Sequence, residues 1–489
     1  LIVGPAAART NCGAMGPKAV KEGKLTHIDE GAGGGGLGSR LLQEHNLVGI
    51  VFGGDWSDPA LREGRELDEY FLEHFGQRAI ATDLLLSEKY RYVPKFDTGG
   101  TFGVNMHTAD DRLFSFNYTS VKQTSERRLE QHEQLILNHY LKQFNEESIA
   151  PRNFAHCGEP CAIACKKFTS EYKKDYEPYQ ALGPNCGIFD QRAAERINKL
   201  VDSLGADSIH MGGMVSWLME LISEGLIEPA DFSLPPREQL YFRFASKSDD
   251  FDLEKASAAN AEYACRLADL IVSSPAGQPF RNGFRPAARW LDEKYGIHSA
   301  DLAVYYCNGV EGSMAPNQYW VPGMFSPMAL MGKYFCYYNV DYLPPFELGV
   351  KNVERFVYEL YSENTGTCRF HRKWVEDIID EIILSHFDLK FDFWHDNFNL
   401  AKAIHLGNRD KSAPWESGRV VEIIHQYLLK WKADGLNNSD LEDWLARFER
   451  DPKEAALAYW QEILRGIDSA FEAGMDEPAH QEHGFLKKA

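Results

Sequence analysis

Residues 157–167 read CGEPCAIACKK, and a lone cysteine follows far downstream at the end of ENTGTC, residues 363–368. Three cysteines in one run plus a distant fourth is a common way to hold a cubane iron–sulfur cluster. Side chains four positions apart on a helical turn lie about 5–6 Å from one another, which is wide for a tetrahedral zinc with bonds of about 2.3 Å. The pattern therefore favours a 4Fe–4S cluster held by Cys157, Cys161, Cys165 and Cys368, with zinc binding or buried free thiols as alternatives.

Length, charge and cysteine content limit the class of protein. The 489 residues are enough for two or three domains with ample core. No stretch approaches about 18 uninterrupted apolar residues, so no transmembrane helix is expected. A formal net charge of −20 argues against nucleic acid as a partner. Nine cysteines without a dense framework, and no visible signal peptide, predict a cytoplasmic location.

Apolar periodicity predicts an α+β, predominantly α-helical chain. Residues 1–56 are expected to hold strands at both ends, over 1–3 and 47–54, around a glycine loop and one helix. Two mainly helical domains are expected over 57–300 and 301–489.

Three local predictions are more specific. An amphipathic helix is predicted over 126–143, and two helices are predicted near the C-terminus in DLEDWLARFERD and EAALAYWQEILRGIDSAFEAG. The stretch 89–105, KYRYVPKFDTGGTFGVN, is interpreted as too rich in glycine and threonine for a helix.

Two segments share an acid-x-x-Gly frame after an apolar-periodic helix: DSLGAD at 202–207 and ENTGTC at 363–368. The glycine of each is expected where the helix stops in the left-handed conformation. Asp202 and Glu363 then lie in the last turn, where the helix dipole makes a carboxylate cost about 0.3–1 kcal/mol. Because this unfavourable placement occurs twice, it suggests a ligand-binding role, and solvated acids at helix ends are the alternative.

The glycine-rich loop GAGGGGLG, residues 31–38, precedes an expected helix. It matches G-x-G-x-x-G formally but lacks the Lys-Ser/Thr of a P-loop. Its bare backbone N–H groups suit a phosphate or another anion, so Gly34, Gly35 and Gly36 are candidate contacts. A flexible linker is the alternative.

A candidate proton carrier lies a dozen residues past the cysteine run. Glu177 is flanked by Tyr176 and Tyr179, so partial burial is expected. A partly buried carboxyl group can exchange protons with a substrate or a bound water. A surface acid is the alternative.

Basic residues follow both cysteine segments: Lys166 and Lys167 after one, Arg369 and Arg372 after the other. In an acidic chain, such local positive charge can raise a cluster's potential or dock an acidic electron carrier. Solvated lysines are the alternative.

Four motifs together resemble one family: KYRYVPKFDTGGTFG at 89–103, CGEPCAIACKK at 157–167, YEPY at 176–179 and CRFHRKW at 368–374. The chain resembles the aldehyde:ferredoxin oxidoreductases, enzymes with a tungsten bis-pterin centre beside a 4Fe–4S cluster. It is most similar to the glyceraldehyde-3-phosphate:ferredoxin oxidoreductase branch. The resemblance covers essentially the whole chain and implies that family's domains 2 and 3, preceded in residues 1–56 by a remnant of domain 1.

The resemblance implies a role for each candidate. The four cysteines would ligate the cluster, and Glu177 would move a proton as an aldehyde hydrate or oxyanion becomes a carboxylic acid. Electrons would pass from tungsten (or molybdenum) to the cluster and then to ferredoxin. Carboxylates can accept paired hydrogen bonds from a pterin's aminopyrimidine. The pterin contacts would be Gly34, Gly35, Gly36, Asp202, Gly205, Asp207, Glu363, Gly366 and Thr367.

The chain departs from the family pattern in two places. Gly34 stands where the family usually has an arginine that contacts pterin phosphate, so backbone N–H groups would replace that contact. Only the end of the family's N-terminal β domain, which forms a saddle under the pterins, precedes the helical part. We therefore expect a separate small subunit that supplies the missing half, and a fragment of a longer chain is the alternative.

Substrate choice is open to several interpretations. TGGTFG at 98–103 is expected to supply hydroxyl and backbone donors for a substrate phosphate, or else to be a structural turn that packs Phe102. The aromatic stretch 305–338 would line an apolar aldehyde pocket or belong to the core. Glyceraldehyde-3-phosphate is the expected substrate. Other sugar or aromatic aldehydes, and a non-catalytic iron–sulfur electron-transfer subunit, are the alternatives.

Overall fold

Helices dominate the computed structural model, which describes residues 1–16, 20–21, 24–25, 31–51, 65–151, 163–169, 172–243, 252–327, 337–387 and 392–476. The first nine helices are α1 (Pro5–Arg9), α2 (Leu37–His45), α3 (Arg65–Phe75), α4 (Ala79–Leu86), α5 (Glu88–Arg91), α6 (Gly100–His107), α7 (Ser125–Gln131), α8 (Leu141–Phe144) and α9 (Tyr176–Ala181). The next five are α10 (Gln191–Leu204), α11 (Ser208–Ser223), α12 (Leu253–Ser273), α13 (Phe284–Tyr295) and α14 (Pro345–Thr365). The last five are α15 (Arg372–Phe387), α16 (Phe393–Asn408), α17 (Gly418–Ala433), α18 (Ser439–Arg450) and α19 (Pro452–Ala473).

Strands are short and form four antiparallel pairs in the described ranges. The pairs are β1 (Ile2–Val3) with β2 (Met15–Gly16), β3 (Val20–Lys21) with β4 (Lys24–Leu25), β5 (Lys167–Thr169) with β6 (Tyr172–Lys174), and β7 (Tyr306–Asn308) with β8 (Gly312–Met314). In the β5–β6 pair, Lys167 lies opposite Lys174. The predicted α+β, predominantly α-helical class is confirmed.

In the described part of the N-terminal segment, the strands differ from those predicted. The first strand ends at Val3, and α1 begins at Pro5, where a proline's missing N–H is tolerated in the first helical turn. The expected strand over 47–54 is not formed in its described part. Residues 47–51 contact β1 through a bridge between Gly49 and Ile2, and the Ile50 backbone N–H donates to the Leu1 carbonyl at 2.8 Å. Residues 52–54 lie outside the described ranges.

The amphipathic helix predicted over 126–143 is confirmed and is longer than expected. α7 continues without a break through a π-helical stretch (His132–Tyr140), α8 and a second π-helical stretch (Asn145–Ile149). Thr124 caps its start by accepting the Arg127 N–H at 3.3 Å. Most of its apolar face is buried, namely Leu135, Ile136, Tyr140 and Leu141. The two C-terminal helices are also confirmed, as α18 and α19.

The non-helical interpretation of 89–105 is wrong, because α5 and α6 overlap its two ends. The glycines do not break helices here but allow a close backbone approach. A Cβ on Gly99 would overlap the Arg91 carbonyl, and one on Gly100, whose φ is +79°, would lie 2.9 Å from the Cys165 carbonyl oxygen. Burial of Phe102 and other side chains on α6 stabilises the helix. Tertiary packing thus overrides the low helix propensity.

The buried apolar residues form two clusters. The first holds α6 and α9–α13 together with Ala6 and Cys12 from the N-terminal segment. The second is built on α14–α19. In the second cluster, α14 and α19 approach closely, since a Cβ on Gly349 would lie only 3.0 Å from the Gly466 Cα.

A buried ion pair joins the two clusters. Arg419 of α17 donates to Glu220 of α11 at 2.7 Å, and the Asn117 side chain donates to the same carboxylate at 2.6 Å. None of the helices in the ranges given above combines the length and apolarity that crossing a membrane requires.

Candidate redox site

The first acid-x-x-Gly motif lies at the end of α10. Gly205 adopts the left-handed conformation with φ of +67°, and its N–H donates to the Asp202 carbonyl at 3.0 Å. The Asp202 carboxylate accepts the Tyr172 hydroxyl at 2.7 Å and lies 3.7 Å from the Lys173 ammonium. These partners from β6 offset the unfavourable position of Asp202 at the negative end of the helix dipole.

The glycine loop lies against the second acid of this motif. Asp207 caps α11 by accepting the Ile209 N–H at 2.9 Å. A Cβ on Gly33 would come 2.8 Å from the Asp207 Cβ, so the loop backbone touches this residue. A Cβ on Gly34 or Gly35 would meet no atom within 4 Å. The loop tip therefore borders open space beside Asp207, which fits an anionic group bound by backbone N–H donors.

The second motif repeats the geometry of the first at the end of α14. Gly366 is left-handed with φ of +69°, and its N–H donates to the Glu363 carbonyl at 3.4 Å. Glu363 is exposed, and a Cβ on Gly366 would meet no atom within 4 Å. The hydroxyl oxygen of Thr367 lies 3.0 Å from that of Thr365. The helix stop expected at both glycines is confirmed.

The segments of Cys165 and Cys368 contact the same short helix, α5. The Lys167 ammonium donates to the Tyr90 carbonyl at 3.4 Å, and the Tyr90 ring centroid lies 4.2 Å from that of Phe370. Each cysteine therefore lies two positions before a residue that contacts Tyr90.

The rest of the predicted cluster set lies outside the described residues, because Cys157 and Cys161 fall within 152–162. No group of three His, Cys, Asp or Glu side chains arranged to hold a metal ion occurs in the part of the chain that the structure covers. For the two covered cysteines, the structure shows that both their segments contact α5, and their role as cluster ligands stays a prediction.

The lysines that follow the cysteine run do not form an exposed basic surface. Lys166 lies 2.8 Å from Asp175, and its side chain is only 13% exposed. Lys167 is fully buried, and its burial lowers the pKa of its ammonium to about 7. Near the other cysteine, Arg369 lies 3.1 Å from the buried Glu359. The interpretation that this lysine pair docks an acidic electron carrier is therefore wrong.

Glu177 lies in the first turn of α9, half-buried, with its carboxylate held by a phenol. The Tyr319 hydroxyl donates to Glu177 Oε1 at 3.0 Å. The Tyr319 ring centroid lies 5.0 Å from that of Tyr176 and 5.7 Å from that of Tyr338. Burial, together with the Glu177 charge, raises the pKa of Tyr319 well above its usual value, so the hydroxyl remains a donor near neutral pH. The arrangement can hold a carboxylate that accepts or releases a proton.

The TGGTFG segment has a structural role, as the alternative to phosphate recognition stated, but it forms the start of α6 and not a turn. The Thr98 hydroxyl is buried and donates to Asn145 at 2.6 Å. The Thr101 hydroxyl is buried and donates to Asp175, also at 2.6 Å. Phe102 is fully buried in the first core cluster. Both hydroxyls are already committed to protein partners, so neither is available for a substrate phosphate.

Comparison with known proteins identifies the family. The sequence model described as "Aldehyde ferredoxin oxidoreductase, domains 2 & 3" matches residues 87–377, which is more than half of the chain. The chain belongs to the aldehyde ferredoxin oxidoreductase family. The matched range contains Glu177, both acid-x-x-Gly motifs and all four predicted cluster cysteines, and the glycine loop precedes it.

Individual relatives of this oxidoreductase family support the assignment. An uncharacterized protein of Methanocaldococcus jannaschii is 34% identical over 95% of this chain and 74% of its own length. The glyceraldehyde-3-phosphate:ferredoxin oxidoreductase of Pyrococcus furiosus is 32% identical over 95% of this chain and 72% of its own length. A tungsten-containing aldehyde ferredoxin oxidoreductase of Pyrococcus abyssi is 28% identical over 28% of this chain and 21% of its own length. The resemblance read from the four sequence motifs is confirmed.

The sequence alone did not identify the residue that donates a hydrogen bond to Glu177. Tyr319 lies 142 positions from Glu177, and the tyrosine-rich stretch around it was interpreted only as a possible pocket wall or core. The same stretch contains Tyr338, whose ring also packs beside Tyr319. The clustering of tyrosines in the sequence was the one signal that pointed to this partner. It does not indicate which carboxylate accepts a hydrogen bond from a tyrosine hydroxyl.

Proposed function

We propose that this chain oxidises an aldehyde to the carboxylic acid and passes the electrons to ferredoxin. The observation that carries the proposal is the Glu177 carboxylate held at 3.0 Å by the Tyr319 hydroxyl, in a chain of this family. Support also comes from the Pyrococcus furiosus relative, whose name specifies an aldehyde donor and ferredoxin as acceptor. Oxidation of an aldehyde with one water molecule gives the carboxylic acid, two electrons and two protons, and ionisation of the acid releases a third proton.

The proposal includes a tungsten or molybdenum bis-pterin and a 4Fe–4S cluster. When bound, the pterin-held metal would take the electron pair and the cluster would relay the electrons singly. Open space at the glycine loop beside Asp207, and the contact of two cysteine segments with α5, support the fit. The pterin contacts would be Gly34, Gly35, Gly36, Asp202, Gly205, Asp207, Glu363, Gly366 and Thr367, and the cluster ligands Cys157, Cys161, Cys165 and Cys368.

Glu177 would accept a proton from the aldehyde hydrate or attacking water and release it to solvent through its exposed side. Tyr319 would hold the carboxylate in one orientation, since its hydroxyl donates to a single carboxylate oxygen. The rings of Tyr176 and Tyr338 on either side of Tyr319 would limit access of bulk water.

Two substrate classes have specific support. The relative's name favours glyceraldehyde-3-phosphate. The tyrosine cluster beside Glu177 favours unphosphorylated sugar or aromatic aldehydes, because it supplies ring faces on which such substrates can pack. Turnover of glyceraldehyde-3-phosphate compared with that of glyceraldehyde and benzaldehyde decides between them.

A partner subunit is also part of the proposal. Residues 47–51 expose apolar side chains, with Val48 69% and Val51 fully exposed, and clustered exposed apolar residues are typical of protein interfaces. A separate small subunit would cover them. Native mass measurement of the complex purified from its source tests this, and a monomer of this chain alone contradicts it.

The main experiment is anaerobic purification followed by metal analysis and an assay for aldehyde-dependent reduction of a viologen dye and of ferredoxin. We expect tungsten or molybdenum together with iron, and a loss of about 100-fold or more in turnover in E177Q. Iron without tungsten or molybdenum, and no turnover, would instead identify a non-catalytic electron-transfer subunit.

A further inference from the structure

A buried carboxamide, two positions before the tyrosine that donates to Glu177, has no hydrogen-bond partner among the residues that the structure describes. Both polar side-chain atoms of Asn317 are buried without a partner, and the residue is only 8% exposed. The side-chain oxygen of the next residue, Gln318, is in the same state. Because buried polar groups are nearly always hydrogen-bonded, unpaired atoms at adjacent positions point to a molecule that occupies the space beside them.

The position of Asn317 connects two parts of the proposed active site. On one side, the Ala315 Cβ would lie 3.0 Å from a Cβ placed on Gly213, so this segment packs on α11, the helix capped by the first pterin motif. On the other side, Tyr319 donates to Glu177. The carboxamide therefore lies on the short stretch of chain that leads from the α11 contact to the proton carrier.

The chemistry of the side chain indicates the kind of group it would bind. A carboxamide presents both a donor and an acceptor, and a hydroxyl group is likewise both. The paired rings of Tyr176 and Tyr319, the latter two positions after Asn317, offer apolar faces that cannot recognise a hydroxyl group in this way. A phosphate would require donors only, which would leave the carboxamide oxygen unpaired.

We propose that Asn317 is a specificity-determining residue that binds the hydroxyl group next to the carbonyl of an α-hydroxy aldehyde. This inference rests on the proposed aldehyde oxidation and adds the substrate class to it. Asn317 would hold the hydroxyl group of the substrate. The adjacent carbonyl carbon would then face the Glu177 carboxylate, beside the cluster of tyrosines. An internal water that satisfies the carboxamide is the competing occupant.

The test compares 2-hydroxypropanal with propanal, which differ by one hydroxyl group, in the holoenzyme and in N317L. The wild type should favour 2-hydroxypropanal. N317L should lower kcat/KM for 2-hydroxypropanal about 10- to 100-fold and change that for propanal less than about threefold. The melting temperature of N317L should not fall, because leucine removes unpaired polar atoms without opening a large cavity. N198L is the matched control, since Asn198 also carries an unpaired buried oxygen but lies on α10.

A binding measurement separates this inference from the proposed function. Calorimetry with the corresponding acids, lactate and propionate, should show tighter lactate binding to the wild type and equal binding to N317L. Turnover of neither aldehyde by the wild type would contradict the proposed oxidation, while the acids would still report on the subsite. Equal losses for both aldehydes in N317L, or equal binding of both acids by the wild type, overturn the assignment and favour the internal water.

Discussion

Replacing Tyr319 with phenylalanine removes one hydroxyl group and keeps the ring. The lost contact is the 3.0 Å hydrogen bond to Glu177, and the ring contacts with Tyr176 and Tyr338 remain possible. A hydrogen bond to a charged group contributes about 1.5–3 kcal/mol. Glu177 is half-buried, so water can replace part of the loss, and the lower half of that range applies. At about 1.4 kcal/mol per factor of ten, kcat should fall about 10- to 40-fold with little change in KM.

The assay is anaerobic, dye-linked aldehyde oxidation with metal content measured on the same preparation, so that kcat is expressed per loaded centre. Y342F is the matched control, because Tyr342 donates to the Asp440 carboxylate at 2.6 Å and belongs to the second core cluster. Its kcat should match that of the wild type. A Y319F enzyme with full metal content and a kcat within twofold of wild type would refute the assignment of Tyr319 as the residue that positions Glu177.

Three further predictions concern stability and cofactor content. R419M leaves Glu220 buried without its cation and should destabilise the fold by about 3–5 kcal/mol at pH 7, measured by chemical denaturation. Burial raises the pKa of Glu220, so its protonation stabilises the folded state at low pH, and this deficit should shrink as the pH falls from 7 towards 5. G36A should lower the melting temperature, because φ is +72° and the added Cβ would overlap the Asn11 carbonyl, whereas G34A, at an open position, should not. C368S should lose most of its iron, measured per chain after anaerobic purification.

Each of these predictions has a control or a contrary outcome. The double variant R419M/E220L should recover most of the lost stability, and a deficit that does not depend on pH would contradict the role of Glu220. Equal melting temperatures for the two glycine variants would contradict the described loop backbone. C186S, at a buried cysteine whose thiol donates to the Ala181 carbonyl at 3.3 Å, should keep its iron. Full iron in C368S would remove that residue from the cluster.

Local sequence signals predicted the elements that depend on neighbouring residues. The helix stops at Gly205 and Gly366 follow from the conformational freedom of glycine, which does not depend on distant contacts. The amphipathic helix after Thr124 and the two C-terminal helices follow from apolar spacing. The same rules failed over 89–105, because α6 is stabilised by burial of Phe102 and its neighbours and not by its own propensity.

The sequence by itself determined the family, the helical class and the candidate chemistry, because cysteine spacing and short motifs are local properties of the chain. Only the tertiary structure decided that the Tyr319 hydroxyl donates to Glu177 across 142 positions, that Lys167 is buried and Lys166 pairs with Asp175, and that the buried Asn317 carboxamide is left unpaired. Such contacts depend on which helix faces pack together, and a linear pattern does not encode the distance between two faces far apart in the chain.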